Sequence, residues 1–139
     1  MRTAHLITSL IIIWHSEMAL ATNWFLLVDV PPVQLEVDGD SIAAKHDLVE
    51  ARFRFDHSKL QKSVAKGYYQ SAEVTSLFNC KDGTYAPYRR IEFEGHNSTG
   101  KEISRIVREG SDISFYDPGP GSMGEIMFDY VCHKRIGTK

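Results

Sequence analysis

Apolar and polar residues alternate along several stretches of this chain, as they do in strands with one buried and one solvated face. The clearest stretch runs from Leu48 to Phe55, with Val49, Ala51, Phe53 and Phe55 on one face and Glu50, Arg52 and Arg54 on the other. Weaker strand patterns lie at 24–29, 33–37, 68–79, 85–94 and 102–109. Pro87 indicates a sheet edge or a bulge. Residues 56–66 are polar and rich in lysine, and we predict a loop there.

Near the C-terminus the apolar spacing becomes helical. Apolar residues recur at intervals of three and four, on one helical face: Met123, Ile126, Met127, Tyr130 and Val131. Ser122 and Glu125 have the spacing of a capping box, directly after the irregular segment 117–121. The sequence therefore predicts an α+β fold, an antiparallel sheet of five to six strands with a C-terminal helix packed on it.

The first 21 residues have the three parts of a cleavable secretory signal. A basic start, Met1–His5, precedes the apolar run Leu6–Trp14, and Ala19-Leu20-Ala21 forms a small-x-small cleavage site. A buried N-terminal strand or helix is the alternative, but it needs neither a basic start nor such an end. The apolar run is too short to cross a membrane. We predict cleavage between Ala21 and Thr22, leaving 22–139 as one periplasmic or secreted domain without a membrane anchor.

Two cysteines, Cys80 and Cys132, belong to the mature chain. In an oxidising compartment such a pair indicates a disulfide, and two free or metal-binding thiols are the alternative. At 100° per residue, Cys132 lies about 180° from Met123, away from the apolar helical face. A bond to Cys80 therefore requires the helix to end near Tyr130, or Cys80 to lie on a loop that reaches the helix end.

Composition and motifs exclude several classes of function. The net charge is −2, which gives no electrostatic reason to expect nucleic acid or an anionic membrane as partner. We find no catalytic motif and expect neither enzymatic activity nor a cofactor. Acidic residues at 38–40 with His46-Asp47 fit no calcium loop, and we interpret them as a solvated turn rather than a metal site. Asp56-His57 is interpreted as an exposed strand end.

Tyrosine and arginine are the residue types that recur in binding hot spots. Six of them flank the predicted hairpins and form the candidate binding set: Tyr68, Tyr69, Tyr85, Tyr88, Arg89 and Arg90. The alternative is that some of these tyrosines pack on the sheet and only their hydroxyls reach water.

An ordered series of short motifs over 23–133 resembles the surface-adhesin protein E-like domain family of Gram-negative bacteria. The series consists of Trp24, Asp38-Gly39-Asp40-Ser41-Ile42, the charged strand 48–55, Tyr69-x-Ser71 followed by Asn79-Cys80, and Gly119-Pro120-Gly121-Ser122 followed by Val131-Cys132. Asn79 stands where the family has Asp.

This resemblance implies an antiparallel sheet with a packed helix, a Cys80–Cys132 disulfide, and export to the periplasm or cell surface. The founding member is an adhesin that binds host proteins such as vitronectin and laminin. We therefore expect a small exported domain that binds a protein partner, either an envelope protein or a host matrix protein. A periplasmic structural or assembly component is the alternative, in which a sheet edge pairs with a partner strand or forms a homodimer.

Overall fold

Within residues 22–134, the part of the chain that this computed structural model describes, seven strands form one antiparallel sheet. The strands are β1 (Trp24–Val30), β2 (Val33–Asp38), β3 (Ala43–Lys45), β4 (Leu48–Lys62), β5 (Tyr68–Asn79), β6 (Thr84–Phe93) and β7 (Glu102–Val107). One helix, α1 (Met123–Asp129), leads into a π turn at Tyr130–Lys134. The predicted signal, residues 1–21 including Ala21 at the cleavage site, lies outside the described residues.

The strand order across the sheet is β1-β2-β4-β5-β6-β7, and all pairs are antiparallel. β4 is long enough to pair with two strands on the same side, β3 along Leu48–Glu50 and β2 along Phe53–His57. The predicted α+β class is confirmed. Three-residue β3 has no apolar pattern because all its residues are exposed, and the sequence did not predict it.

The hydrophobic core lies between one face of the sheet and α1. Strand residues Leu35, Val37, Ala51, Phe53 and Phe78 are fully buried there, and the helical segment supplies Met127, Phe128, Val131 and Cys132. The ring of Phe78 is central, with its centroid 5.8 Å from that of Phe53 and 6.3 Å from that of Phe128. The apolar face predicted for 48–55 is confirmed, because its residues lie under the helix.

The end of the helix is fastened to the β5–β6 turn by the Cys80–Cys132 disulfide, which confirms the predicted pair. Both geometric conditions are met. The α-helix ends at Asp129, so the wider π turn replaces the 100° spacing and brings Cys132 to 1% exposure in the core. Cys80 lies directly after β5, at the start of the turn. The predicted cap is also present, with the Glu125 N–H donating to Ser122 Oγ at 3.2 Å.

The loop predicted for 56–66 is wrong over most of its length. β4 continues to Lys62, and Gln61 and Lys62 pair with Tyr69 and Tyr68 of β5. The sequence does not indicate this extension because no residue of β4 after Asp56 is buried. Neither an apolar face nor strict alternation is required there, whereas backbone pairing continues.

The face of β4 opposite the helix is less solvated than predicted. Trp24 of β1 covers it, with the guanidinium carbons of Arg52 and Arg54 lying 5.4 and 4.4 Å from its ring centroid. Arg54 also pairs with Glu36 at 2.7 Å. Asp38, predicted to be a solvated turn residue, is 3% exposed and pairs with Arg52 at 2.5 Å. It is buried because Trp24 and β4 enclose the end of β2.

Asp56, predicted to be exposed, is buried at 6% exposure. The short turn His96–Ser98 folds over it, and its carboxylate accepts the Asn97 N–H at 2.7 Å and lies 2.5 Å from His96 Nδ1. Asn97 and Ser98 adopt positive φ values of 55° and 61°, a conformation that non-glycine residues rarely adopt. Hydrogen bonds to Asp56 and to Ser71 hold that conformation, since the Ser98 N–H donates to Ser71 Oγ at 2.9 Å.

Candidate functional site

A cleft of about 280 Å³ lies on the helix side of the sheet, between β6, the end of β7 and the start of α1. Its floor is apolar and is formed by Phe55, Val74, Ile106, Met123 and Met127. Its lining also includes aromatic and cationic residues, namely Tyr85, Tyr88, Arg89, Arg90 and Arg108. We call this site the β6–α1 cleft.

Consecutive residues of β6 line the cleft although their side chains do not share one face of the sheet. Arg89 lies opposite Thr75, which lies opposite Arg52, so the Arg89 side chain is on the face away from α1, whereas Arg90 lies opposite Val74 on the face towards α1. Here Arg89 pairs with Thr75 and Pro87 pairs with Ser76, which leaves Tyr88 without a partner in β5. Pro87 has no N–H to donate to the ladder, which favours the irregularity, and the predicted bulge is confirmed.

Tyr85 joins the cleft to the core. Its ring stacks on Phe78 with the two centroids 5.9 Å apart, and its backbone forms a two-hydrogen-bond bridge with Tyr116. The other end of the Tyr85 side chain lies against Gly124 in the first turn of α1. A Cβ at Gly124 would lie 2.4 Å from Tyr85 Oη, so only glycine permits this approach between helix and strand.

Tyr88 is held by Glu50 of β4, whose side chain lies on the face of the sheet opposite α1. Its hydroxyl donates to Glu50 Oε2 at 2.5 Å, and the same oxygen accepts from Lys45 Nζ at 2.7 Å. Burial, followed by the hydrogen bond to Glu50, raises the pKa of Tyr88 to about 12. For Glu50, burial is the largest single influence and acts upward, but the hydrogen bonds from Lys45 and Tyr88 outweigh it and lower its pKa. Tyr88 therefore stays protonated and oriented at neutral pH.

The three arginines of the cleft differ in their partners. Arg90 is occupied, since it pairs with Glu92 at 2.9 Å and donates to Tyr69 Oη at 2.8 Å. Within residues 22–134, Arg89 and Arg108 form no ion pair and no side-chain hydrogen bond. An Arg108 guanidinium at the apolar floor and an Arg89 guanidinium on the adjoining face of the sheet suit a partner segment that presents carboxylates next to an apolar side chain.

The structure brings four of the six predicted binding residues together, since Tyr85, Tyr88, Arg89 and Arg90 all line the cleft. Tyr69 is buried at 8% exposure, and Arg90 lies over its ring at 5.3 Å, so it supports the cleft from beneath. Tyr68 lies apart from the cleft, on the β4–β5 hairpin, and is 59% exposed.

Sequence reasoning missed the residues that β7 and α1 contribute to the cleft. Ile106, Arg108 and Met123 come from elements that follow β6 in the chain and fold back against it. No local pattern marks them as residues of one site, although Met123 belongs to the predicted apolar face of the helix. The Arg108 N–H donates to the carbonyl of Tyr88 at 2.7 Å and fixes the end of β7 to the bulge.

A second cleft of about 260 Å³ lies at the β1–β2 turn, and His96, Ser58 and Asp29 are among its lining residues. Asp56 orients the exposed imidazole of His96. Among the residues that the structure describes, no side-chain hydroxyl hydrogen-bonds to that ring, so the pair lacks the third member of a hydrolytic triad. In the same part of the chain, no three metal-ligating side chains cluster.

The sequence matches a known family, and the fold is similar to solved structures. The family model described as surface-adhesin protein E matches residues 24–133. Two crystal structures of Haemophilus influenzae protein E superimpose with a TM-score of 0.55: one, crystal form II, at 13% identity over 72% of this chain and 80% of that one, the other at 15% over 80% and 84%. Protein E from non-typeable Haemophilus influenzae gives a TM-score of 0.53 at 15% identity, over 77% and 74% of the two chains.

At 13–15% identity the structural similarity shows only a shared fold. Membership of the family rests on the match to the family model. No curated protein matches the sequence. None of the helices within residues 22–134 is both long enough and apolar enough to cross a membrane.

Proposed function

Because the chain belongs to the surface-adhesin protein E family, we propose that it is an exported domain that binds a protein partner through the β6–α1 cleft. The observation that carries this proposal is the convergence of Tyr85, Tyr88, Arg89 and Arg90 on one cleft with an apolar floor. The family is one of adhesins, and adhesion is not an enzymatic role.

The chemistry of the cleft favours a protein segment as the ligand. Tyrosine and arginine dominate binding hot spots because each combines a large contact area with hydrogen-bonding groups. A volume of about 280 Å³ suits one or two partner side chains on the Met123 and Ile106 floor. Arg89 and Arg108 would then pair with a neighbouring acidic residue of the partner. A host matrix protein is the first candidate partner, and an envelope protein is the second.

Binding of the purified protein to immobilised vitronectin and laminin tests this proposal. The test variant Arg89→Gln/Arg108→Gln removes the two cleft arginines that form no ion pair within residues 22–134. The matched control Arg105→Gln removes an exposed β7 arginine that pairs with Glu102 at 2.7 Å outside the cleft. We expect the double variant to bind at least tenfold more weakly, since truncated hot spots cost about 2 kcal/mol or more, and the control to bind like the parent.

Equal binding by the double variant and the parent protein would show that the cleft arginines do not contact the partner. If neither host protein binds, crosslinking in intact cells followed by identification of the captured envelope proteins tests the second partner class with the same variants. A partner captured equally by both variants would contradict a cleft contact.

The apolar edge of β1 supports a second function, that of an assembly component that accepts a partner strand. Within the described residues β1 pairs only with β2, and its Phe25, Leu26 and Val30 are 46%, 54% and 63% exposed. The opposite edge strand, β7, is protected by the Glu102–Arg105 ion pair. Leu26→Lys should abolish a homodimer or complex detected by sedimentation velocity, and a complex that survives this change argues against pairing at β1.

A further inference from the structure

The end of the β4–β5 hairpin, residues 58–68, combines positive charge with exposed apolar side chains. Lys59, Lys62 and Lys66 lie within it, and no acidic residue occurs anywhere from His57 to Ala72. The net charge of the whole chain is nevertheless −2, so the rest of the molecule is acidic. The net charge of the whole chain therefore does not reveal this local positive surface.

Three apolar side chains of this hairpin end are directed into solvent. Leu60, Val64 and Tyr68 are 59%, 83% and 59% exposed. Lys62 pairs with Tyr68 across the hairpin, so their side chains share one face, and Leu60 precedes Lys62 by two residues. Val64 occupies the turn itself. The hairpin end therefore exposes three apolar side chains among its lysines.

Internal hydrogen bonds hold the hairpin end in this shape. The Ser63 N–H donates to the Gly67 carbonyl at 3.0 Å, and the Ala65 N–H donates to Ser63 Oγ at 3.2 Å. Ser63 Oγ in turn donates to Glu92 at 2.5 Å. Glu92 is 3% exposed and also pairs with Arg90, so this acidic neighbour does not neutralise the lysines at the surface.

We propose that residues 58–68 bind the surface of an anionic lipid bilayer. The lysines would contact lipid phosphates, while Leu60, Val64 and the Tyr68 ring enter the boundary between head groups and acyl chains. A dissolved polyanion would engage only the lysines, leaving the three apolar side chains in water, and this favours lipid over polyanion. The β6–α1 cleft shares no lining residue with this surface, so the two sites are separate.

Cosedimentation with vesicles tests the lipid site. The protein is mixed with phosphatidylcholine vesicles, with and without about one-third phosphatidylglycerol, at low and at physiological salt. Each lysine near an anionic surface contributes about fivefold to the partition constant, from about 1 kcal/mol per residue. We therefore expect binding only to the anionic vesicles, weakened roughly 25-fold by Lys59→Gln/Lys66→Gln.

A matched pair, Lys81→Gln/Lys101→Gln, removes the same charge from two exposed lysines outside the hairpin end and should leave binding close to that of the parent. Leu60→Ser/Val64→Ser keeps all lysines and should also weaken binding. Circular dichroism confirms that each variant is folded. The proposal is overturned if the protein does not bind anionic vesicles, or if the two lysine double variants lose vesicle binding equally. It is also overturned if Leu60→Ser/Val64→Ser still binds heparin but the protein does not bind vesicles.

Discussion

Replacing Gly124 with alanine should lower the free energy of unfolding, although alanine has the higher helix propensity. In an ordinary helix, replacing glycine by alanine stabilises by up to about 1 kcal/mol. At this position, however, the new Cβ would lie 2.4 Å from Oη and 2.8 Å from Cζ of Tyr85. The ring is stacked on Phe78 and cannot turn aside without giving up that contact. Overpacking of this kind costs about 1–3 kcal/mol, so we expect Gly124→Ala to destabilise the protein by about 1 kcal/mol net.

The sign should reverse when the obstructing ring is removed. In a Tyr85→Leu background the close atoms are absent, and Gly124→Ala should then stabilise by up to about 1 kcal/mol from helix propensity alone. The expected coupling between the two sites is therefore about 2 kcal/mol, within the range seen for residues in contact. Gly119→Ala serves as the control, because its Cβ would approach Ser122 no closer than 3.9 Å.

Guanidinium chloride unfolding followed by circular dichroism, with the disulfide intact, gives the free energy of unfolding of each variant. If Gly124→Ala stabilises the parent protein by about 1 kcal/mol, the Tyr85 ring does not obstruct the new Cβ. The same follows if the substitution changes the free energy of unfolding equally in both backgrounds.

Two further predictions concern the disulfide and the cleft tyrosine. Cys80→Ser/Cys132→Ser should lower the free energy of unfolding by about 4 kcal/mol, the loop-entropy value for a separation of 52 residues, and an unchanged denaturation midpoint would contradict this. Because the folded pKa of Tyr88, about 12, lies above the ordinary tyrosine value of 10.0, its contribution to stability is present below pH 10 and lost as the pH rises towards 12. Tyr88→Phe should remove this high-pH step from the stability curve and from the tyrosinate absorbance titration, whereas Tyr116→Phe should retain it.

The sequence was sufficient wherever one face of a strand lies under the helix. Residues 49–55 alternate because Ala51 and Phe53 must be apolar to pack on Phe128 and Val131. The opposite face was misjudged because arginine and tryptophan are frequent on exposed surfaces. Nothing local indicates that Trp24 stacks on Arg54. Likewise, the burial of Asp56 depends on a turn 41 residues further along the chain, and no periodicity reports such a contact.

Some residues of the candidate site are indicated by the sequence, and others reach it only through the fold. Tyr85 to Arg90 were found because they are neighbours in one segment, so a cluster in the sequence became a cluster in space. Arg108 and Met123 reach the cleft only through tertiary folding. Tyr68 and Tyr69 are adjacent in sequence and were predicted as a unit, yet strand alternation places the first in solvent and the second beneath Arg90.

The unpaired position of Tyr88 also bears on how this surface can evolve. Loss of one codon from most positions of a paired strand turns every side chain beyond it to the other face. Loss of Tyr88 would leave the pairs Thr75–Arg89 and Ser76–Pro87 as they are, since that residue has no partner in β5. One deletion or insertion can therefore remove or restore Tyr88 while the register of β5 and β6 on either side of it is kept, at the cost of the Arg108 hydrogen bond to its carbonyl.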